Sequence, residues 1–369
     1  MTVVRDTHED YGAVFAARGE RALPLHFGRP ERTHRAVRNA VGVTEHAYGV
    51  LVVTGEDRRE FVDNAVTNRV PAADGEGVYA LLLDPQAGVR TDMYVYEAGD
   101  RLLCFLPPET VADVAAEWRG NVFIQDVEIA EATDEFGVFG VHGPSATENV
   151  ASVLHGAAAP DAPLSFVRGE IYDHGVTVVR TDATAGEEGY EVVCAADAAA
   201  DVLATLLTRG ANATPFGTQV WEALTLEAGT PLYPHDLAGR IPNVLGLRCA
   251  LDFEKGCYVG QEVVSKVENL GAPSKRLVGL RFTGDSDDVP AVADDPAVRD
   301  DDRRIGDLTR TAWGESVGAP VAFALVDYGF DGETVTVAAP DAARGADVVE
   351  LPFVVGSDRS ARVPRYPGE

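Results

Sequence analysis

Lys255-Gly256-Cys257-Tyr258-Val259-Gly260-Gln261-Glu262 sets a thiol and a phenol between two glycines, with an ammonium just before them. Glycine at 256 and 260 lets the backbone take positive φ or lets a ligand approach closely, so a tight loop presenting its thiol is expected. Lys255, two residues from Cys257, favours thiolate over thiol, the form that is nucleophilic, redox-active or metal-binding. The alternative is a small buried cysteine in a turn, and these residues alone leave both open. The lysines sharpen the question. Of 31 Lys and Arg, three are lysine, Lys255, Lys266 and Lys275, and all fall in this segment. A chain that otherwise writes its cations as Arg is expected to use Lys only where a compact ammonium on a flexible stem is wanted.

Around this loop the composition sets bounds. A chain of 369 residues exceeds one ordinary core and suggests two or three domains, with 46% apolar residues to fill them. A formal charge of -28 spread along the chain argues against binding nucleic acid or an anionic membrane, because both present phosphates. Dispersed acid with scarce lysine is the expected composition of a halophile's cytosolic protein, so a cytoplasmic location is expected. Cys104, Cys194, Cys249 and Cys257 show no paired spacing, so neither a zinc site nor a disulfide framework is expected. Residues 1–10 lack an apolar core for a leader, and no run is long enough to cross a bilayer.

Upstream, Val50-Leu51-Val52-Val53 reads as a strand leading through Thr54-Gly55 into a helix with core positions Phe61, Val62, Ala65 and Val66. The same strand, turn and helix recurs from Val138 through Gly143 to Leu154, a faint internal repeat. Strands are expected at 78–83 and 92–96, a helix at 109–118, strands at 176–180 and 190–193, and helices near 196–208 and 215–228. Downstream of the loop, Arg276 to Glu369 alternates like a small all-β domain, and its acidic run from Asp285 to Asp302 reads as a solvated loop.

The segment Lys255 to Glu262 resembles the signature of the YgfZ family, folate-binding proteins implicated in making or maintaining iron-sulfur enzymes. Pro24-Leu25-His26-Phe27-Gly28, Ala185-Gly186-Glu187-Glu188-Gly189-Tyr190-Glu191, Leu226 to Tyr233 and Ile305 to Thr309 resemble, in order, segments of the related aminomethyltransferase (T-protein) of the glycine cleavage system. The resemblance implies an α+β fold in which two α+β subdomains (roughly 1–140 with return segments, and 141–240, within a region 1–270) and a C-terminal β-barrel (271–369) form a ring around a tetrahydrofolate site.

It further implies Glu187 as the carboxylate on the pterin edge and Tyr190 as a wall or stacking ring. Lys255, Tyr258 and Gln261 are the folate contacts in the signature, Asp92 is the carboxylate assisting one-carbon transfer, and Cys257 is the reactive group at the cavity mouth. Folate-assisted iron-sulfur protein synthesis or repair is the leading expectation, with an iron-sulfur protein as partner. The alternative is aminomethyl transfer, or a related methyl transfer or demethylation, with a lipoyl carrier protein as partner.

Three departures count against transfer. Thr91 stands where T-proteins carry a second acid beside Asp92, and Trp221 and Thr225 stand at two arginine positions. The window Arg240 to Arg276 holds six cations and four acids, and this patch is expected to hold the folate tail in place of those arginines. His235-Asp236 is either a proton relay or a structural pair.

Overall fold

The computed structural model describes residues 2–367 apart from 19–20, 211, 286–291, 293–296 and 338–342. An entry segment comprises α1 (Arg5–Asp10), the hairpin β1 (Val14–Arg18) and β2 (Arg21–His26), α2 (Pro30–Asn39) and β3 (Gly42–Glu45). Two units with the same element order follow. The first is β4 (Gly49–Thr54), α3 (Arg58–Ala65), β5 (Glu76–Leu83), β6 (Val89–Glu97), β7 (Arg101–Leu106), α4 (Val111–Gly120) and β8 (Glu128–Glu131). The second is β9 (Phe136–His142), α5 (Ala146–Val153), β10 (Phe166–Ile171), β11 (His174–Arg180), β12 (Gly189–Ala195), α6 (Ala199–Thr208) and β13 (Thr214–Pro215). Their sheets run β5-β6-β7-β4-β8 and β10-β11-β12-β9-β3-β13. The faint repeat in the sequence is therefore a repeat of topology, with β3 inserted in the second copy.

Each sheet buries one face under its own helices. In the first unit Leu51, Met93 and Val95 pack with Val62, Val114 and Trp118. In the second, Val141, Val178, Tyr190 and Val192 pack with Val150, Val202 and Leu206. The opposite faces meet in a shared central core that gathers Tyr79, Tyr94, Tyr96 and Phe105 from one sheet and Phe166, Val179 and Val193 from the other. Because strand side chains alternate between faces, Tyr190 and Val192 go to the helix side while Glu191 and Val193 turn toward the centre.

After α7 (Thr218–Glu227), a long connection and α8 (Gln261–Leu270), the chain closes a six-stranded barrel from β14 (Lys275–Phe282), β15 (Ala297–Asp300), β16 (Arg303–Gly314), β17 (Ala319–Asp327), β18 (Thr334–Val337) and β19 (Arg344–Val349). The fold is thus α+β with a C-terminal closed barrel, and Leu277, Val321, Phe323 and Leu325 of the barrel join the central core. Of the acidic run from Asp285 to Asp302, the last part forms β15, and residues 286–291 and 293–296 lie outside the described residues. The barrel strands end at Val349, and residues 350–367 return to the two sheets. There Ser357 bonds Glu187, Arg180 bonds Asp358, and Tyr366 donates to the Val244 carbonyl. No helix among the described residues is long and apolar enough to cross a membrane.

Candidate functional site

A cleft holding about 760 Å³ of space outside the protein atoms, partly open to solvent, lies where the two sheets, α7 and the returning C-terminal segment meet. Asp92, Tyr79, Tyr94 and Phe105 of the first sheet wall it, with His46, Tyr48, Trp221, Tyr233 and Arg362. The polar side of the cleft is one connected network. Arg362, 3% exposed, donates from Nε to Asp182 Oδ2 at 3.0 Å and from Nη1 toward Asp92 Oδ2 at 3.4 Å; it also contacts the Tyr94 hydroxyl. Its guanidinium lies 3.7 Å from the centre of the Tyr79 ring. Tyr79 donates its hydroxyl to Asp92 Oδ2 at 2.9 Å, and Tyr94 donates to Asp182 Oδ1 at 2.8 Å.

Glu191 adds a third carboxylate. It sits beside the cleft and accepts the Tyr48 hydroxyl at 2.7 Å. Burial pushes its pKa up to about 7; the Tyr48 hydrogen bond opposes the rise, Asp182 adds to it and Arg362 opposes it. Burial first, with neighbouring carboxylates, raises the Tyr48, Tyr79 and Tyr94 phenols well above their ordinary range, so they remain hydrogen-bond donors. Asp92 and Asp182 against one guanidinium, with Glu191 able to give up its proton near neutral pH, make the cleft a receiver of N–H donors and of positive charge.

Asp92 is the one sequence-predicted site residue that faces this cleft. Thr91 points to the other side of β6, where its hydroxyl pairs with Thr110 at 2.9 Å. The missing second acid is therefore not missing from the cleft. Glu187, expected on a pterin edge, is 2% exposed and committed elsewhere: Oε1 accepts Arg38 at 2.9 Å and Oε2 accepts the Ser357 amide at 2.8 Å. It lies in the turn before β12 and fastens the C-terminal segment. Tyr190 belongs to the helix-side core of the second sheet and hydrogen-bonds Thr147 at 3.1 Å.

The opening loop is also placed apart from the cleft. The Lys255 ammonium is buried at the C-terminal end of α3 and donates to the carbonyls of Asp63, Val66 (2.8 Å) and Asn68 (3.0 Å). Asp63 and Val66 close α3, whose last carbonyls lack intrahelical partners and carry the negative end of the helix dipole, and Asn68 follows it, which explains a lysine here. Tyr258 is buried under that ammonium, 5.6 Å from ring centre to Nζ. Gln261 opens α8 behind Gly260, whose φ is +83° and where a Cβ would lie 2.8 Å from the Asp84 carbonyl oxygen, so a side chain is disfavoured. Gly256 has open space at its Cβ position and no positive φ, so only one of the two glycines is required by the turn. Cys257 is exposed, and neither it nor Glu187 lines the cleft.

The expected cationic patch disperses as well. Lys255 is tied to backbone, Lys266 is exposed on α8, and Lys275 faces Asp307 at 3.6 Å. Beside Thr225, at one vacated arginine position, stands Arg310 of β16, which donates to the Thr225 hydroxyl at 3.1 Å and pairs with Asp236. Asp236 also accepts Thr309 and the Leu232 amide, whereas His235 is exposed, so these neighbours form no relay. Sequence reading missed Arg362, Asp182, Tyr48 and Glu191. For Glu191 a signal existed, a charge inside the apolar run Tyr190 to Cys194; for Arg362 there was none. Among the described residues no group of three His, Cys, Asp or Glu is placed to hold a metal ion.

The sequence matches the GCVT N-terminal domain over residues 4–255 and the glycine cleavage T-protein C-terminal barrel domain over residues 275–354. It is 31% identical to the aminomethyltransferase of Cutibacterium acnes, over 96% of this chain and 99% of that protein. To the aminomethyltransferase of Bacillus subtilis it is 26% identical, over 95% and 98%. The crystal structure of glycine cleavage system aminomethyltransferase T from Bartonella henselae shares the fold, with a TM-score of 0.84 at 22% identity, over 96% of this chain and 97% of that one. The chain belongs to the glycine cleavage T-protein family.

Proposed function

We propose that this protein transfers an aminomethyl group from a lipoyl carrier protein to tetrahydrofolate in the cleft walled by Asp92 and Arg362. The observation that carries the reading is Asp92, a 9% exposed carboxylate turned into the cleft and fixed there by the Tyr79 hydroxyl and Arg362. End-to-end similarity to proteins named aminomethyltransferase supports it. The donor set fits a reduced pterin, whose amino group and adjacent ring N–H ask for carboxylates; Glu191 and Asp182 are buried carboxylates beside the cleft. When bound, tetrahydrofolate supplies the nitrogens that accept the carbon.

The chain's own residues supply placement and field. Arg362 and Tyr79 hold Asp92 in one orientation, and its negative charge stabilises the positive charge that develops as the amine departs. Tyr94 and Phe105 keep that charge in surroundings poorer in water, which strengthens it.

The test mixes purified protein, tetrahydrofolate and aminomethylated lipoyl carrier protein and measures methylenetetrahydrofolate. Asp92→Asn should lower turnover by about 10²-fold or more while folate still binds; Cys257→Ala should change neither. A wild type that binds folate but makes no product would overturn the reading. One observation favours a second reading, an accessory role in iron-sulfur protein maintenance. Cys257 is the exposed cysteine among the four, on a glycine-hinged loop. Folate binding without transfer, together with loss of that maintenance in Cys257→Ala, would support it.

A further inference from the structure

Two histidines that play no part in the reading above meet at the wall of the cleft. His46 follows β3 and lines the cleft; His142 ends β9 and is 1% exposed. Their Nε2 atoms are 3.4 Å apart. Only one hydrogen fits between two nitrogens at that distance, so one ring donates and the other accepts. The surrounding backbone leaves room for both rings. A side chain on Gly140 would begin 2.3 Å from His46 Nε2 and 2.5 Å from His142 Nε2, and one on Gly189 would begin 2.7 Å from His142 Nδ1. Trp221 of α7 packs on both, its ring centre 4.7 Å from His46 and 5.0 Å from His142.

We propose, resting on the transfer reading, that His46 takes up and returns a proton during the reaction and that His142 is its positioning residue. Transfer of an aminomethyl group to tetrahydrofolate forms two carbon–nitrogen bonds and breaks one carbon–sulfur and one carbon–nitrogen bond. Two protons leave the accepting nitrogens; one ends on the carrier sulfur and one on the departing ammonia, with no oxidant or reductant involved. A neutral imidazole at the cleft wall suits the second of these relays.

The pair has the asymmetry this needs. His142 is buried beside Arg180, whereas His46 lines the cleft from which a proton comes and to which it returns. Burial, followed by His46 and Arg180, lowers the His142 pKa well below the ordinary value, which keeps His142 as the neutral partner in the pair. The titratable groups around the pair are Arg180 from β11, Tyr48 and, through its hydroxyl, Glu191 from β12; α7 presents the Trp221 ring.

The experiment pairs kinetics with imidazole ¹⁵N NMR on the whole protein. His46→Gln should lower turnover about 10²-fold with unchanged tetrahydrofolate affinity and should remove the acid limb of the pH–rate profile. His142→Gln, which keeps an acceptor, should retain most of the turnover. His142→Phe should lose about tenfold, the equivalent of one hydrogen bond, and shift the acid limb. In the spectra His142 should stay neutral as pH falls through the ordinary histidine range, while His46 gains its proton and responds to tetrahydrofolate. An active wild type with an equally active His46→Gln, or a His46 ring unmoved by both pH and ligand, overturns the proposal alone. An inactive wild type overturns the transfer reading and this proposal together.

Discussion

Replacing Lys255 by methionine tests whether the lysine of the opening loop is structural or a ligand contact. Its ammonium, on a side chain with no solvent exposure, is shared by the carbonyls of Asp63, Val66 and Asn68, with Asp63 Oδ2 at 3.5 Å. Hydrogen bonds to charged groups contribute about 1.5–3 kcal/mol each. Removing one partner of a buried charged contact costs about 3–5 kcal/mol, because the groups left behind lose both the charge and water. The three bonds share one donor and are not additive, so a loss of about 3–5 kcal/mol is expected for Lys255→Met. That corresponds to a fall in Tm on the order of 10 °C. Lys255→Arg should lose nearly as much, since a planar fork does not fit a position shaped for a compact ammonium. Urea unfolding and thermal melts measure the loss, and folate titration below the melting range should find affinity unchanged. If Lys255→Met kept its stability within about 0.5 kcal/mol and lost folate binding, the capping assignment would be refuted and the ligand role restored.

Other expectations follow from the cleft. Glu191 has a folded pKa of about 7 against an ordinary 4.5. The native state therefore binds more protons than the unfolded chain in that window, and the stability from this group is present below pH 4.5 and lost as pH rises through 7. The swing is roughly 3 kcal/mol; Glu191→Gln should flatten it in unfolding curves taken from pH 5 to 8. Calorimetry of tetrahydrofolate binding near pH 6.5 in buffers of different ionisation enthalpy should show proton release, because N–H donors favour the carboxylate, and Glu191→Gln should abolish that release. Thr91→Asp should gain no turnover and should lower stability by about 2–4 kcal/mol in denaturant unfolding, since it buries a charge on the helix side of β6.

Legibility differed from residue to residue. Many of the strands and helices, the faint repeat and the all-β character of the C-terminal stretch followed from apolar periodicity and turn residues, which act over a few neighbours; the barrel followed from the family resemblance. Asp92 was found through its match to an acid of the T-protein pattern, and the alternation of β6, seen in the structure, turns it into the cleft and Thr91 away from it. In Glu187-Glu188-Gly189-Tyr190-Glu191 the choice among three carboxylates depended on where β12 begins and on its pairing of Glu191 with Gly140. One residue of shift reverses every face, and the sequence does not mark it.

By itself the sequence determined many of the strands and helices and the C-terminal all-β stretch, because those depend on local pattern, and its resemblance to T-proteins pointed to the wider family, the barrel and Asp92. Tertiary structure alone decided that Lys255 caps a helix some 190 positions upstream. It alone decided that Cys257 is exposed and does not line the cleft, and that an arginine near the chain's end reaches back to hold Asp92 and Asp182. These are contacts between segments far apart in the chain. Burial and charge at such contacts are set by which surfaces meet, and no local pattern of residues records that meeting.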